Sequence, residues 1–170
     1  MINNYDIIML VIKMKVNDLA VRITDYCKNN SIKKVYICGN GGSGKTLLSR
    51  YIESTSEKYG KVNLISTDDF IVDNDLRSSA KIKWIDDGTL FEGRYTSSNK
   101  ESYFLKNIYE IIYNLEHGNN IYYFSKEDAE ENKIRLLEAD NFITIVEGVG
   151  TAFLNIDKTN SLALFLECVN

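Results

Sequence analysis

Apolar residues recur along the chain in two patterns, short runs rich in apolar residues and longer stripes with helical spacing. The short runs are Lys33–Cys38, Val62–Ser66, Asn141–Val146 and Leu162–Glu167. Runs of this length and composition are typical of strands buried on both faces of a parallel sheet. Because the stripes alternate with the runs, the pattern predicts an α/β fold with a doubly wound parallel sheet, about four core strands and helices on both faces.

Three stripes with helical spacing predict the main helices. The first is an N-terminal helix within residues 14–30, for which Asn17 is the candidate N-cap. The second begins near Lys45. The third is Ser102–Glu116, and Gly118 lies just past its end in a position typical of a helix C-cap.

Two further segments carry weaker patterns. Tyr122–Phe124 and Lys133–Leu137 have the composition of a small hairpin. The acid-rich stretch Lys126–Lys133 between them is equally compatible with a solvated helix, so both alternatives stay open there. The polar segment Asp86–Asn99 is predicted to be a loop.

The length of 170 residues and the hydrophobic content of 44% predict one domain, residues 1–170, with a substantial core. Residues 1–13 are predicted to be disordered or extraneous, because Met14 is an alternative start. The apolar run Ile7–Ile12 is far shorter than the ~20 residues that span a bilayer. We therefore predict neither a membrane anchor nor a signal peptide, and a cytoplasmic location.

The net charge of −4 argues against a protein that binds nucleic acid, because such proteins carry a surplus of lysine and arginine. The cysteines Cys27, Cys38 and Cys168 have no metal-ligand spacing, which favours reduced thiols in a cytosolic protein. The predicted partner is a small molecule, with no nucleic acid and no membrane. A homo-oligomer is compatible with the sequence.

The segment between the first strand and the second helix has the sequence G-N-G-G-S-G-K-T. It is a complete Walker A signature, G-x-x-x-x-G-K-[ST], in the strand–loop–helix context that a phosphate site requires. ATP or GTP with Mg²⁺ is the expected ligand. The predicted nucleotide-binding residues are Gly39, Asn40, Gly41, Gly42, Ser43, Gly44, Lys45 and Thr46.

The residue types of this loop suit a polyphosphate for physical reasons. The four glycines, Gly41 among them, allow backbone torsions that other residues avoid, so that successive N–H groups point at phosphate oxygens. The start of the following helix adds unpaired N–H groups and the positive end of its dipole. The Lys45 ammonium is expected to reach the β and γ phosphates, and the Thr46 hydroxyl to ligate Mg²⁺.

Two more predicted strands end in acidic residues. Asp68 and Asp69 follow the second strand, and Glu147 follows the third. The carboxyl ends of parallel strands form the edge where α/β proteins place their ligands, so these acids are predicted to meet the glycine-rich loop. Phosphoryl transfer needs three things: a loop that binds the phosphates of the donor nucleotide, a Mg²⁺ ion, and a carboxylate that orients or deprotonates the attacking hydroxyl. Each role has a candidate at this edge.

With these motifs the chain resembles the uridine kinase and phosphoribulokinase-like family of P-loop kinases. The loop is similar to the family's G-x-x-G-S-G-K-T. I-S-T-D-D-F from Ile65 to Phe70 is similar to its S-T-D-D-F-Y, and I-V-E-G-V from Ile145 to Val149 is similar to its apolar-E-G strand end. The resemblance runs from about Lys33 to Glu167 and implies a three-layer P-loop NTPase fold.

The resemblance also implies roles for individual residues. Carried over position by position, it makes Asp68 the catalytic base that acts with Lys45, and Asp69 a supporting neighbour. It makes Thr46 a direct Mg²⁺ ligand, with Glu147 and Asp68 as the acids linked to the metal.

The chain departs from the family at several positions. Ile71 stands where uridine kinases have tyrosine, and Ser98 replaces an acid that contacts the ribose. These changes favour a hydroxylated acceptor other than uridine. Arg94 and Tyr95 are candidates for contact with substrate phosphate or hydroxyl groups. The sequence stops at Asn170, so the family's arginine-bearing lid and last strand are expected to be missing.

The predicted function is phosphoryl transfer from ATP or GTP to a hydroxyl of a small molecule, as in uridine kinase. The alternative is a nucleotide-binding but non-catalytic or truncated kinase homologue, because a lid arginine contributes orders of magnitude to such transfer. A GTPase switch and an ABC-type ATPase are disfavoured, because the sequence has neither an Asn-Lys-x-Asp element nor a Ser-Gly-Gly signature.

Overall fold

The structure is a computed structural model that describes residues 15–126 and 133–167. The predictions for residues 1–13, for Cys168 and for most of the stretch between 126 and 133 lie outside these residues. The described helices are α1 (Val16–Asn29), α2 (Lys45–Ser56), α3 (Asn74–Ser79) and α4 (Leu105–Glu116). The described strands are β1 (Lys34–Gly39), β2 (Val62–Ser66), β3 (Lys81–Asp86), β4 (Thr89–Arg94), β5 (Ile121–Ser125), β6 (Lys133–Leu137), β7 (Ile143–Glu147) and β8 (Ser161–Leu166).

A four-stranded sheet in the order β2-β7-β1-β8 forms the centre of the fold. All of its strand pairs are parallel, which confirms the predicted doubly wound parallel sheet. Glu147 lies opposite both Ile37 of β1 and Ser66 of β2, and Gly39 lies opposite Leu166 of β8. The segments that carry the glycine-rich loop and the acids therefore leave the sheet at the same edge.

Helices cover both faces of this sheet, as predicted. On one face α1 and α2 pack over a buried cluster that includes Val35, Ile37 and Ile145. On the other face α4 and the β5–β6 hairpin pack over a cluster that includes Tyr36 and Ile65. Successive strand residues point to opposite faces, so the continuous apolar run of β1 contributes to both clusters. In the described residues, no helix combines the length and the apolar character needed to cross a membrane.

The segment Asp86–Asn99, predicted to be a loop, forms part of a β-hairpin. Strands β3 and β4 pair in antiparallel register. The turn between them has φ of 45° at Asp87 and 76° at Gly88, and a two-residue Asp-Gly turn of this kind matches the twist of a hairpin. Most side chains of both strands are exposed. The two strands therefore lack the alternation of buried and exposed residues by which a sequence reveals a strand. The Asp-Gly pair was the one signal from which the hairpin could have been predicted. The hairpin of β5 and β6, one of the predicted alternatives, is confirmed.

Two helix starts differ from the predictions. The assignment of Asn17 as N-cap is wrong, because the N-cap of α1 is Lys15, two residues earlier, and Val16 packs against the core. The third predicted helix, α4, begins only at Leu105. Ser102 lies outside it because its hydroxyl donates to the carbonyl of Thr96 at 2.7 Å, which holds it in a preceding 3₁₀ turn.

A 3₁₀ turn after β7, Val149–Phe153, packs against the turn that follows β2. The Gly150 N–H donates to the hydroxyl of Thr67 at 3.2 Å. Thr151 is 2% exposed, and its hydroxyl has no hydrogen-bond partner among the described residues. Two buried threonines in one packed region therefore differ in whether the hydroxyl is bonded.

Thr151→Val should stabilise the protein, because it removes an unbonded buried hydroxyl and keeps the side-chain volume. We expect the free energy of unfolding to rise by about 1 kcal/mol, measured by urea denaturation with circular dichroism. The matched control Thr67→Val should lower it by about 1–2 kcal/mol, because it leaves the Gly150 N–H without its acceptor. Equal destabilisation by the two variants would contradict this account of Thr151.

Candidate active site

The loop after β1 depends on glycine at particular positions. Gly39 has φ of 152°, and a Cβ atom placed there would lie 2.2 Å from the carbonyl oxygen of Leu166. Gly42 and Gly44 have φ of 74° and 86°, which is the left-handed region that favours glycine. The prediction that Gly41 also needs such a torsion is wrong, because its φ is not positive and a Cβ atom there would meet open space.

Helix α2 begins directly at the end of this loop. Its N-cap is Gly44, and no side chain caps the first turn. The first N–H groups of a helix have no intrahelical acceptor and lie at the positive end of the helix dipole. The loop therefore ends in an uncapped helix N-terminus that is suited to bind an anion.

Lys45 is the first residue of α2, and its side chain folds back over the loop. It is only 9% exposed. Its ammonium donates to the carbonyl of Asn40 at 2.8 Å and contacts the hydroxyl of Ser43 at 3.5 Å. The positive charge is therefore held against the loop by its own oxygen atoms.

Glu147 ends β7 and is nearly enclosed, with 3% of its surface exposed. Its Oε1 accepts a hydrogen bond from the Thr46 hydroxyl at 3.1 Å. Burial raises the pKa of the Glu147 carboxyl above its ordinary value of 4.5, and the negative charge of Asp68 raises it further. The hydrogen bonds from Thr46 and Ser66, together with the charge of Lys45, act in the opposite direction. The sheet thus brings an unusually basic carboxylate to the predicted metal-binding hydroxyl.

The two acids after β2 occupy different environments. Asp68 is exposed in the 3₁₀ turn Thr67–Phe70, and its N–H donates to the side chain of Ser66 at 3.4 Å. Asp69 is partly buried, and its carboxylate accepts a hydrogen bond from the Lys126 N–H. The structure therefore leaves Asp68 accessible to a substrate, whereas Asp69 ties the turn to the end of β5.

The oxygen atoms at this edge fit nucleotide and Mg²⁺. Thr46 offers a hydroxyl and Glu147 a carboxylate, while Asp68 lies close enough to influence the Glu147 charge. Among residues 15–126 and 133–167, no group of three or more His, Cys, Asp or Glu side chains is arranged to hold a metal ion. Mg²⁺ is commonly held by one or two carboxylates together with substrate phosphates, and Thr46 and Glu147 are oxygen donors of the kind it takes.

Sequence reasoning missed Tyr103, which packs beside the turns that follow β2 and β7. Its ring packs against Phe153, and its hydroxyl donates to the carbonyl of Ser97 at 2.8 Å. Burial raises the pKa of the Tyr103 hydroxyl to about 12, the charge of Asp68 also raises it, and the charge of Arg77 lowers it. The signal in the sequence was an aromatic residue directly before the helical stripe of α4.

The substrate candidates Arg94 and Tyr95 are not brought to the loop. Arg94 is exposed at the end of β4, and Tyr95 is half-buried in the segment that follows. Within the described ranges, neither side chain forms a hydrogen bond or ion pair with Lys45, Asp68 or Glu147. Their predicted role in substrate binding stays a prediction without support from contacts.

Comparisons with known proteins give structural neighbours. No protein-family model matches this chain, and no curated protein matches it. A possible uridine kinase from Bacillus stearothermophilus is 19% identical, with a TM-score of 0.56 over 89% of this chain and 83% of that one. A candidate fructose transport system kinase from Silicibacter sp. TM1040 is 17% identical, with a TM-score of 0.52 over 79% of this chain.

The chain spans only 63% of the length of the Silicibacter protein. At these identities the likeness shows the fold alone, which is the P-loop kinase fold. The predicted three-layer P-loop fold is thereby confirmed.

Gly39→Ala should destabilise the protein, because the added Cβ atom would overlap the backbone of β8. We expect the free energy of unfolding to fall by about 2 kcal/mol or more, measured by urea denaturation. The matched variant Gly41→Ala should change it by less than about 0.5 kcal/mol, since a methyl group there meets open space. A large loss in Gly41→Ala would show that the loop backbone is not as described.

Glu147→Gln should make the ligand-free protein more stable at neutral pH. A carboxyl whose pKa is raised by folding stabilises the protein while protonated, and that contribution is lost as pH rises from its ordinary value of 4.5 through the raised value. The excess stability of Glu147→Gln over the native protein should therefore grow with pH above 4.5. Urea denaturation across this pH range measures it, and a difference independent of pH would show that the Glu147 charge is not the cause.

Proposed function

We propose that this chain is a uridine kinase-like phosphotransferase that moves a phosphoryl group from ATP or GTP to a hydroxyl of a small molecule. The loop Gly39–Thr46 would hold the nucleotide, and Thr46, Glu147 and Asp68 would hold Mg²⁺. The structural neighbours support the kinase fold. The site itself supplies the argument for the chemistry.

The observation that carries the proposal is the hydrogen bond between Thr46 and Glu147 at 3.1 Å. An ionised carboxylate that is almost fully buried is costly unless a cation or hydrogen bonds compensate it. Thr46 supplies one hydrogen bond, and Lys45 lies near enough to lower the Glu147 pKa. A buried acid next to the last residue of a phosphate loop is suited to a site that receives a divalent cation with a nucleotide.

Lys45 and the loop would bind the donor. The ammonium, now bonded to the Asn40 carbonyl, would exchange that acceptor for phosphate oxygens. The loop amides and the start of α2 would hold the rest of the phosphate chain. When bound, Mg²⁺ would neutralise charge on the transferred phosphoryl group.

Asp68 would act on the acceptor. Its exposed carboxylate, positioned by the bond between its own N–H and Ser66, would receive the proton of the attacking hydroxyl. A bond forms between the acceptor oxygen and the γ phosphorus, the bond from that phosphorus to the β–γ bridging oxygen breaks, and the nucleoside diphosphate leaves. The cytoplasmic location and the absence of nucleic acid and membrane partners stay predictions from the sequence.

Lys45→Ala should weaken nucleotide binding by about two orders of magnitude, because it removes a charged donor from the phosphates. Isothermal titration with MgATP and MgGTP measures this. The exposed Lys33 offers a control, since Lys33→Ala lies at the far end of β1 and should bind normally. Unchanged binding by Lys45→Ala would contradict the assignment of the loop.

Asp68→Asn should bind nucleotide normally and lose turnover by about a hundredfold to ten-thousandfold, because it removes a general base. A coupled assay of ADP or GDP release with a panel of sugars, polyols and nucleosides measures turnover. Asp18→Asn, on the exposed side of α1, is the matched control. If the native protein binds MgATP but turns over no acceptor, the alternative of a non-catalytic nucleotide-binding protein holds.

A further inference from the structure

A cleft of about 270 Å³ lies at the opposite end of β1 from the glycine-rich loop. Its floor is formed by Lys34 and Tyr36 of β1. One wall is a stripe of α4, and the other is the segment 154–157. Because Lys34 is the first residue of β1 and Gly39 is the last, the cleft and the loop are roughly 16 Å apart. The cleft is therefore separate from the candidate active site.

Three tyrosine side chains line this cleft. Tyr109 and Tyr113 lie one turn apart on the same face of α4, and Tyr36 lies on the floor, where it is 4% exposed. The Asn155 N–H donates to the Tyr109 hydroxyl at 2.6 Å, and the Tyr113 ring stacks on the His117 ring with centroids 3.9 Å apart. These contacts fix the two rings of α4 at the wall of the cleft.

The charged groups that line the cleft carry a surplus of negative charge. Lys34 contributes one ammonium, and its side chain is 9% exposed. Glu116 and Asp157 contribute two carboxylates, which both contact that ammonium, Asp157 at 3.7 Å. The Thr159 N–H donates to Asp157 at 3.0 Å, which lowers the pKa of the Asp157 carboxyl and keeps it ionised. One ammonium against two carboxylates gives the described lining residues a net charge of −1.

The C-terminal end of α4 adds to this negative potential. Glu116 is the last residue of the helix, and the last turn of this fully described helix contains no basic residue. The carbonyl groups at such an end form the negative pole of the helix dipole, which attracts cations. The faces of tyrosine rings attract cations as well. Rings, surplus carboxylate and helix end therefore favour the same kind of ligand.

We propose that this cleft binds an organic ammonium ion, either an amine or a quaternary ammonium, with a small apolar body. The cation would lie beside Asp157, and the apolar body would pack on Tyr109, Tyr113 and Leu154. An anion is disfavoured because the Lys34 charge is already paired with two carboxylates. The site goes beyond the proposed function, and neither proposal depends on the other.

The test compares compounds of one shape that differ in charge. The first set is tyramine, its neutral analogue tyrosol and the anion para-hydroxyphenylacetate. The second set is choline and dimethylbutanol, in which carbon replaces the charged nitrogen. Each compound is titrated into the native protein and followed by ligand-observed NMR. We expect the cation of at least one set to bind about tenfold or more tightly than its neutral counterpart.

Variants assign that preference to the cleft. Tyr113→Leu removes a ring and Asp157→Asn removes the surplus charge, so each should reduce the preference for the cation by about threefold or more. Tyr113→Phe keeps the ring and should retain the preference. The matched controls Tyr26→Leu and Asp18→Asn change exposed residues of α1 and should leave it unchanged.

Three results would overturn the proposal. The first is the absence of saturable binding by both cations, or equal binding of each cation and its neutral counterpart. The second is tighter binding of para-hydroxyphenylacetate than of tyramine, which would indicate an anion site at Lys34. The third is a preference for the cation that persists in both Tyr113→Leu and Asp157→Asn, with each variant folded by circular dichroism, because binding would then lie elsewhere.

Discussion

Parallel pairing of three neighbouring strands is the constraint on which the candidate site depends. β7 lies between β1 and β2, and its last residue, Glu147, is opposite Ile37 on one side and Ser66 on the other. Adjacent strands lie about 4.8 Å apart. The segments that follow β1, β2 and β7 must therefore lie close together. The hydrogen bond from Thr46 to Glu147 and the position of Asp68 both follow from this register. Because a shift by one residue would turn Glu147 to the opposite face of the sheet, the apolar clusters that fix the register also fix the site.

The sequence contained most of the fold and the donor half of the site. Residues 35–37 are continuously apolar because alternate side chains enter opposite clusters, and that pattern is visible without coordinates. The glycine-rich loop is equally local, because Gly39, Gly42 and Gly44 adopt the left-handed torsions for which the motif selects glycine. Glu147 could be found because a charged residue at the end of so apolar a strand is costly without a partner.

The surroundings of Asp68 could not be predicted in the same way, because they are made by contacts between segments that are distant in the sequence. Tyr103 is unremarkable in the sequence, and it reaches this edge because residues 70–72 pair with residues 102–104. Arg94, a predicted substrate contact, lies at the end of a hairpin whose mostly exposed strands have no alternation of buried and exposed residues that the sequence could reveal. At Asn17 the local preference of an N-cap was outweighed by packing of Val16 against the core. Local propensity decides less where tertiary contacts compete with it.

The position of Lys45 bears on how an anion enters the loop. Its ammonium donates to the Asn40 carbonyl, a backbone oxygen of the same loop. If the loop binds a phosphate as proposed, a phosphate oxygen would replace the Asn40 carbonyl as the acceptor of the Lys45 ammonium. The gain in binding free energy would then come mainly from the negative charge of the phosphate oxygen, because the number of hydrogen bonds to the ammonium changes little. The entropic cost of ordering the loop would already have been met during folding. The association of such an anion should then slow as ionic strength rises, because salt screens the attraction between the anion and the Lys45 charge.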